Sequence, residues 1–242
     1  MSMTELLLIR HAVNDYVKTG RLAGWTPGVH LNDEGRAQAE ALAQRLDGLP
    51  IHAIYSSPLD RALETAEPIA RARQLTIRVV QGVGEVNYGE WTGGELKELA
   101  KHELWPIIQF VPSRARFPSG EGIATMQARA VEQCEALCRA HPEEVVAVVS
   151  HADVIKAIVA HYLGLHLDLF QRIDIAPASL TWLHLGKGTP RVVVLNDTGS
   201  VPRPPERKAE PAAAAEKGDE VTDSAPSTNG ATETAPAGEK EA

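Results

Sequence analysis

Cysteine is nearly missing from this chain: two in 242 residues, Cys134 and Cys138, four apart in a segment of helical periodicity. That excludes a disulfide framework, and the pair reads as small core residues of a reduced, intracellular protein. Runs of Lys and Arg are missing too, and the formal charge is −8, which argues against a nucleic-acid binder or a basic membrane-surface protein. An anionic substrate must therefore be held by local arginines, not by the overall field. No apolar run approaches the length of a membrane span. The opening MSMTELLLIRH has no basic region ahead of its apolar run, and that run is too short for a secretory signal. Metal-type Cys/His spacings are absent, so no zinc site is expected. These absences predict a cytoplasmic protein.

Aromatic residues disappear after Val201, and large aliphatic ones nearly do. From there the chain reads VPRPPERKAEPAAAAEKGDEVTDSAPSTNGATETAPAGEKEA. A segment of this composition cannot bury enough apolar surface to offset the entropy of ordering it. Between Arg203 and Ala242 it has five Lys/Arg against nine Asp/Glu, a net 5 − 9 = −4 and half of the chain's charge. Residues 201–242 are read as a disordered Pro/Ala/Glu-rich tail, a solubilising extension, and residues 1–200 as one folded domain.

Within that domain the periodicity alternates. LLLIRH, HAIYSS, TIRVVQG and EVVAVVSH have the length and apolarity of buried strands. NDEGRAQAEALAQRL, LDRALETAEPIARAR, IATMQARAVEQCEALCRAH and DVIKAIVAHYLG carry apolar residues at helical spacing. SLTWLHL and RVVVLN, joined by the turn signal GKGTP, predict a closing hairpin. The expected fold is α/β: a three-layer αβα sandwich with a mostly parallel central sheet and helices on both faces. Ligands in such sheets gather at the carboxyl ends of the strands.

Those ends hold chemistry. Arg10 and His11 close the first strand, and His151 closes the fourth. Arg61 falls in the first turn of the helix after HAIYSSP, and Glu85 lies in the Gly-rich turn GVGEVNYGEWTG. Together they make two guanidiniums, two imidazoles and a carboxyl, without a thiol or obvious hydroxyl nucleophile. Arginine matches phosphate oxygens and stays charged. A neutral imidazole attacks phosphorus to give an intermediate that water can open, and a carboxyl of raised pKa can protonate the leaving alkoxide. The remaining seven histidines (His30, His52, His102, His141, His161, His166 and His184) have no comparable setting and read as structural.

LLLIRHA, AGWTPGVHLNDEGRAQAEALAQRL, YSSPLDRALETAEPIA, GEVNYGEWTG and VVSHADVIKAIVAHYLG, in that order, resemble the histidine phosphatase superfamily, the phosphoglycerate-mutase-like or Arg-His-Gly family. The resemblance runs over about Leu6 to Leu195. It implies that His11 is the phosphohistidine nucleophile, that Arg10, Arg61 and His151 bind the phosphoryl group, and that Glu85 is the proton donor. It also implies a small phosphorylated metabolite as substrate, with no metal or organic cofactor. Ser57 stands where the family commonly has a serine close to the pocket, though a turn role fits it equally. The chain departs from the pattern in three places. Ala12 and Ala152 replace glycines, and Val17 replaces a phosphate-contacting asparagine whose work Asn14 or a backbone amide is expected to take over. Ala23 stands where the related mutases carry threonine or serine. The reading preferred is a phosphomonoester hydrolase. A phosphoglycerate-mutase-type transferase and a catalytically weak phosphate-binding regulatory protein remain as alternatives. Arg114 and Arg116 are candidates for a distal anionic group of the substrate, and the segment from roughly Gly93 to Gly122 is expected to lid the site. Oligomeric state stays open, a homodimer being one option.

Overall fold

A computed structural model describes residues 3–199. Val201 and everything after it, including the expected tail, lie outside the described residues. The elements in chain order are β1 (Met3–Arg10), α1 (Asp15–Lys18), α2 (Asp33–Arg45), β2 (Ile51–Ser56), α3 (Asp60–Arg73) and β3 (Ile77–Val79), followed by α4 (Leu96–Leu99), α5 (Trp105–Phe110), α6 (Ile123–Ala140), β4 (Val145–Ser150), α7 (Ala152–Tyr162), β5 (Leu180–Gly186) and β6 (Arg191–Asp197).

The six strands form one sheet in the order β3-β2-β4-β1-β5-β6. The first four are mutually parallel, β5 runs antiparallel to β1, and β6 returns antiparallel to β5 as the expected hairpin. The continuous apolar run of β1 follows from cover on both faces. Leu6 and Leu8 join the core that holds Met126 and Ala130 of α6 and Ile158 of α7. Leu7 and Ile9, one pleat over, join Leu42 of α2 and Ile69 of α3. Neither face of the strand meets water, so alternation with polar residues is lost.

The strand expected over TIRVVQG is shorter than its sequence suggests. Pairing with β2 covers only Ile77–Val79, and residues 81–83 tighten into a 3₁₀ turn. At this edge Val79 is half exposed, so apolar burial does not extend the strand. The turn instead sends the chain across the ends of β2 and β4 and carries Glu85 to the site. The stretch 93–122 contains two short helices, α4 and α5, joined by irregular chain.

Candidate active site

Parallel pairing of β1 with β4 sets Arg10 opposite Ser150, and the His11 amide donates to the Ser150 carbonyl at 2.9 Å. His11 and His151, the next residue on each strand, therefore lie side by side with ring centroids 5.2 Å apart. β2 ends beside β4, and the Ser57 amide donates to the Val149 carbonyl at 2.9 Å. From the turn after β2, α3 starts and projects Arg61 beneath both imidazoles. The Arg61 Nε lies 3.3 Å from His11 Nε2, and its Nη2 lies 3.4 Å from His151 Nδ1. Thr65, one turn further along α3, accepts from the Ala12 amide and donates to the Arg61 carbonyl. That bridge locks the His11 loop onto the helix that carries Arg61.

The tautomer of His11 follows from its neighbours. Its Nδ1 lies 2.8 Å from the Ala12 carbonyl oxygen, which can only accept. The proton is therefore on Nδ1 and the lone pair on Nε2, facing the cavity. Burial lowers the His11 pKa well below the usual histidine value, and the charges of Arg61 and Arg10 lower it further. His151 is lowered for the same reasons in the same order, burial first and then Arg61. Its Nε2 is held by the Ser57 hydroxyl at 2.8 Å. Ser57 thus stands behind His151; neither residue lines the cavity itself, and His151 meets the site through Nδ1, beside Arg61 and Glu85.

Glu85 has its Oε2 3.8 Å from Arg61 Nη2 and 3.6 Å from His151 Nδ1. Burial raises its pKa to about 7; Arg61 opposes the rise and the nearby Asp153 carboxylate adds to it. The backbone around it is clamped. Arg129 of α6 donates to the carbonyls of Gly82, Gly84 and Glu85 and forms a two-point ion pair with Glu121. The Trp25 indole donates to the Glu85 carbonyl at 2.7 Å from the other side. Gly84 is required by this packing, since a Cβ there would lie 2.6 Å from the Trp25 ring. Neither Arg129 nor Trp25 was legible as a site residue, because each acts on backbone far from it in sequence.

Three buried nitrogens around His11 have no hydrogen-bond partner: Arg10 Nε, Arg61 Nη1 and Asn14 Nδ2. All three residues line one cavity of about 350 Å³ together with His11 and Glu85. Asn14 caps α1 by accepting from the Val17 amide through Oδ1, which leaves its NH₂ turned elsewhere. Buried donors are almost always paired, so three unpaired ones at one spot mark a place for an anion. With both histidines neutral and Glu85 about half-protonated near pH 7, the two guanidiniums leave the phosphoryl end net positive, as an anion requires.

The His11, Glu85 and His151 ligand atoms also lie within 4.8 Å of one another, a grouping that could hold a metal ion. The two guanidiniums at the same spot favour an anion over a dication. Ala12 and Ala152 both avoid the left-handed region, so the replacement of glycine strains neither. Arg114 and Arg116 do not line the cavity. Arg114 lies near Asp168, and Arg116 donates to the Gly120 carbonyl at 3.4 Å. The segment 93–122 supplies part of the cavity wall, including Leu96, Trp105 and Phe117.

The fold and this cluster of two guanidiniums, two imidazoles and a carboxyl define a phosphoryl-transfer protein built on an α/β sheet. The model of the histidine phosphatase superfamily (branch 1) matches residues 6–198, and the chain belongs to that family. It is 30% identical over 198 residues to phosphoserine phosphatase 1 of Hydrogenobacter thermophilus, covering 81% of this chain and 93% of the relative. Among solved structures it is similar to Bacillus stearothermophilus YhfR, with a TM-score of 0.75 and 29% identity over 80% of this chain and 97% of that one. A phosphoserine phosphatase from Entamoeba histolytica superposes with a TM-score of 0.74 at 26% identity, covering 81% and 98%. The chain is a phosphatase of this superfamily. Among the described residues, no helix is long and apolar enough to cross a membrane.

Proposed function

We propose that His11, Arg10, Arg61, Asn14, His151 and Glu85 are the working groups of a phosphomonoesterase, in the following roles. The His11 Nε2 lone pair attacks phosphorus, forming an N–P bond as the ester P–O bond breaks. Glu85 gives its proton to the departing alkoxide, and the alcohol leaves. Arg10, Arg61, Asn14 and His151 hold the three non-bridging oxygens through the transfer. Water then attacks the phosphohistidine, losing a proton to the Glu85 carboxylate, so that inorganic phosphate leaves and both groups are restored. Ser57 acts through His151 by fixing its ring, and so is a positioning residue. The observation that carries this reading is that three unpaired buried donors belong to residues lining the same cavity as His11, whose Nε2 carries no proton.

All six groups come from one chain, so the site needs no partner subunit. The free thiols Cys134 and Cys138 support a cytoplasmic setting. The family match ends at residue 198, which supports a catalytic domain over 1–200 and a non-catalytic extension over 201–242. Truncation before Val201 is expected to leave kcat/KM within about twofold, and a larger loss would assign the extension a part in turnover.

The direct test is to mix enzyme with an aryl phosphate, quench, and look for an acid-labile, base-stable phosphoenzyme. Wild type is expected to give one. His11→Ala is expected to give none and to lose at least about 10³-fold in turnover, with an unchanged circular dichroism spectrum. Formation of 2-phosphoglycerate from 3-phosphoglycerate and a bisphosphoglycerate primer, without free phosphate, would move the assignment to a mutase.

A further inference from the structure

Outward from His11 the cavity changes character. Leu22, Trp91, Leu96, Trp105, Ile108 and Phe117 line it beside the polar Gln109 and Gln171. Trp91 is the hub: its ring stacks on Trp105 at 6.4 Å and meets Phe117 edge-on at 5.4 Å, so the aromatic wall is braced before any ligand arrives. The short helices α4 and α5 also leave Leu96, Ile107 and Phe110 exposed. A volume of about 350 Å³ is far more than a phosphate group occupies and lies in the range of drug-sized ligands.

Charged groups in this outer part are few. Arg10 and Arg61 belong to the phosphoryl end. Arg21 is the other cation in the wall; its Nε and Nη2 are held on the Gly93 carbonyl at 3.0 and 2.8 Å, and its guanidinium lies over the Tyr16 ring. The acid beyond Glu85 is Asp153, already engaged by Lys156 Nζ and the Tyr88 hydroxyl, each at 3.3 Å. A carboxylate placed here would meet aromatic faces and the Asp153 carboxylate, with Arg21, its Nε and Nη2 already spent on the Gly93 carbonyl, as the cation on offer.

We propose that this chamber is a subsite for the alcohol half of the substrate and takes an uncharged, apolar, preferably aromatic group. Resting on the phosphatase reading, the inference makes the substrate class phosphate esters of hydrophobic alcohols, ahead of esters that carry a carboxylate such as phosphoserine. The driving force is apolar area removed from water against a wall that is already organised.

Esters of similar leaving-group basicity separate the chamber's effect from chemical reactivity. Steady-state phosphate release from 2-phenylethyl phosphate, ethyl phosphate, phosphoserine and 3-phosphoglycerate is the measurement. The phenylethyl ester is expected to exceed each of the others in kcat/KM by at least about tenfold, the scale set by burying a ring. Trp105→Ala and Ile108→Asp are each expected to shrink the phenylethyl-to-ethyl ratio several-fold. Equal rates for the phenylethyl and ethyl esters, or preference for either carboxylated ester, would overturn the subsite while leaving the phosphatase reading intact. Calorimetric binding of 3-phenylpropylphosphonate against propylphosphonate reads the chamber without turnover. Tighter binding of the phenyl compound supports the subsite even if no ester is hydrolysed, an outcome that would sink only the phosphatase reading; equal affinities sink the subsite.

Discussion

At the residue scale, two neighbouring groups are pushed in opposite directions by the same burial. Desolvation penalises charge, so it keeps the His11 imidazole neutral and the Glu85 carboxyl protonated. The result is an imidazole without its second proton beside a carboxyl still about half-protonated near pH 7, the pairing that the proposed attack and leaving-group protonation call for. For an alkyl phosphate, kcat/KM is expected to fall as pH rises through about 7, where Glu85 ionises, and the fall should be absent in Glu85→Gln. That substitution is expected to slow alkyl esters by about 10²–10⁴-fold and aryl esters far less, because a phenolate leaves with little protonation. Equal losses on both ester types would remove Glu85 from the acid role. The residue types and most positions were legible from strand ends alone. The tautomer of His11 and the free NH₂ of Asn14 were not, since each depends on which neighbour the other polar atom finds.

Among the elements, the turn from Gly82 to Glu85 matters most, and beyond the single 3₁₀ turn over residues 81–83 it has no regular structure to stiffen it. Its carbonyls are tied to α6 through the single guanidinium of Arg129, a fork that lysine cannot reproduce. Arg129→Lys is therefore expected to lower kcat on alkyl esters about tenfold with a smaller change on aryl esters, and to blur the alkaline limb near pH 7. A uniform loss across ester types, tracking a loss of thermal stability, would reduce Arg129 to a structural part. Strands β1 and β4 and helices α2, α3, α6 and α7 were visible in sequence because their apolar spacing matches burial on one or both faces. The short extent of β3 and the bounds of α4 and α5 were not: those ends are set by where neighbouring segments stop covering them.

For the whole molecule, the site costs stability. Between pH 4.5 and about 7 the folded protein keeps a proton on Glu85 that the unfolded chain has released, so this group lowers stability as pH rises through that window. The histidines act the other way. Below pH 6.5 the unfolded chain takes up protons that buried His11 and His151 refuse, so their contribution is intact above pH 6.5 and is lost as pH falls. At pH 8 Glu85→Gln removes a buried charge, and its Tm is expected to rise by a few degrees over wild type while activity drops. A lower Tm at pH 8, measured by calorimetry, would show that the ion pairs of Glu85 with Arg61 and His151 outweigh its burial.

By itself the sequence determined the α/β class and the order of the main strands and helices, and it singled out Arg10, His11, Arg61, Glu85 and His151 as candidates, because apolar periodicity and residue chemistry are local properties. Tertiary structure alone decided that Ser57 backs His151, that three donors stay unpaired on residues lining one cavity, that Arg114 and Arg116 do not line it, and that Trp91, Trp105 and Phe117 do. Those outcomes are contacts between segments distant along the chain, and only the closed fold states which surface meets which.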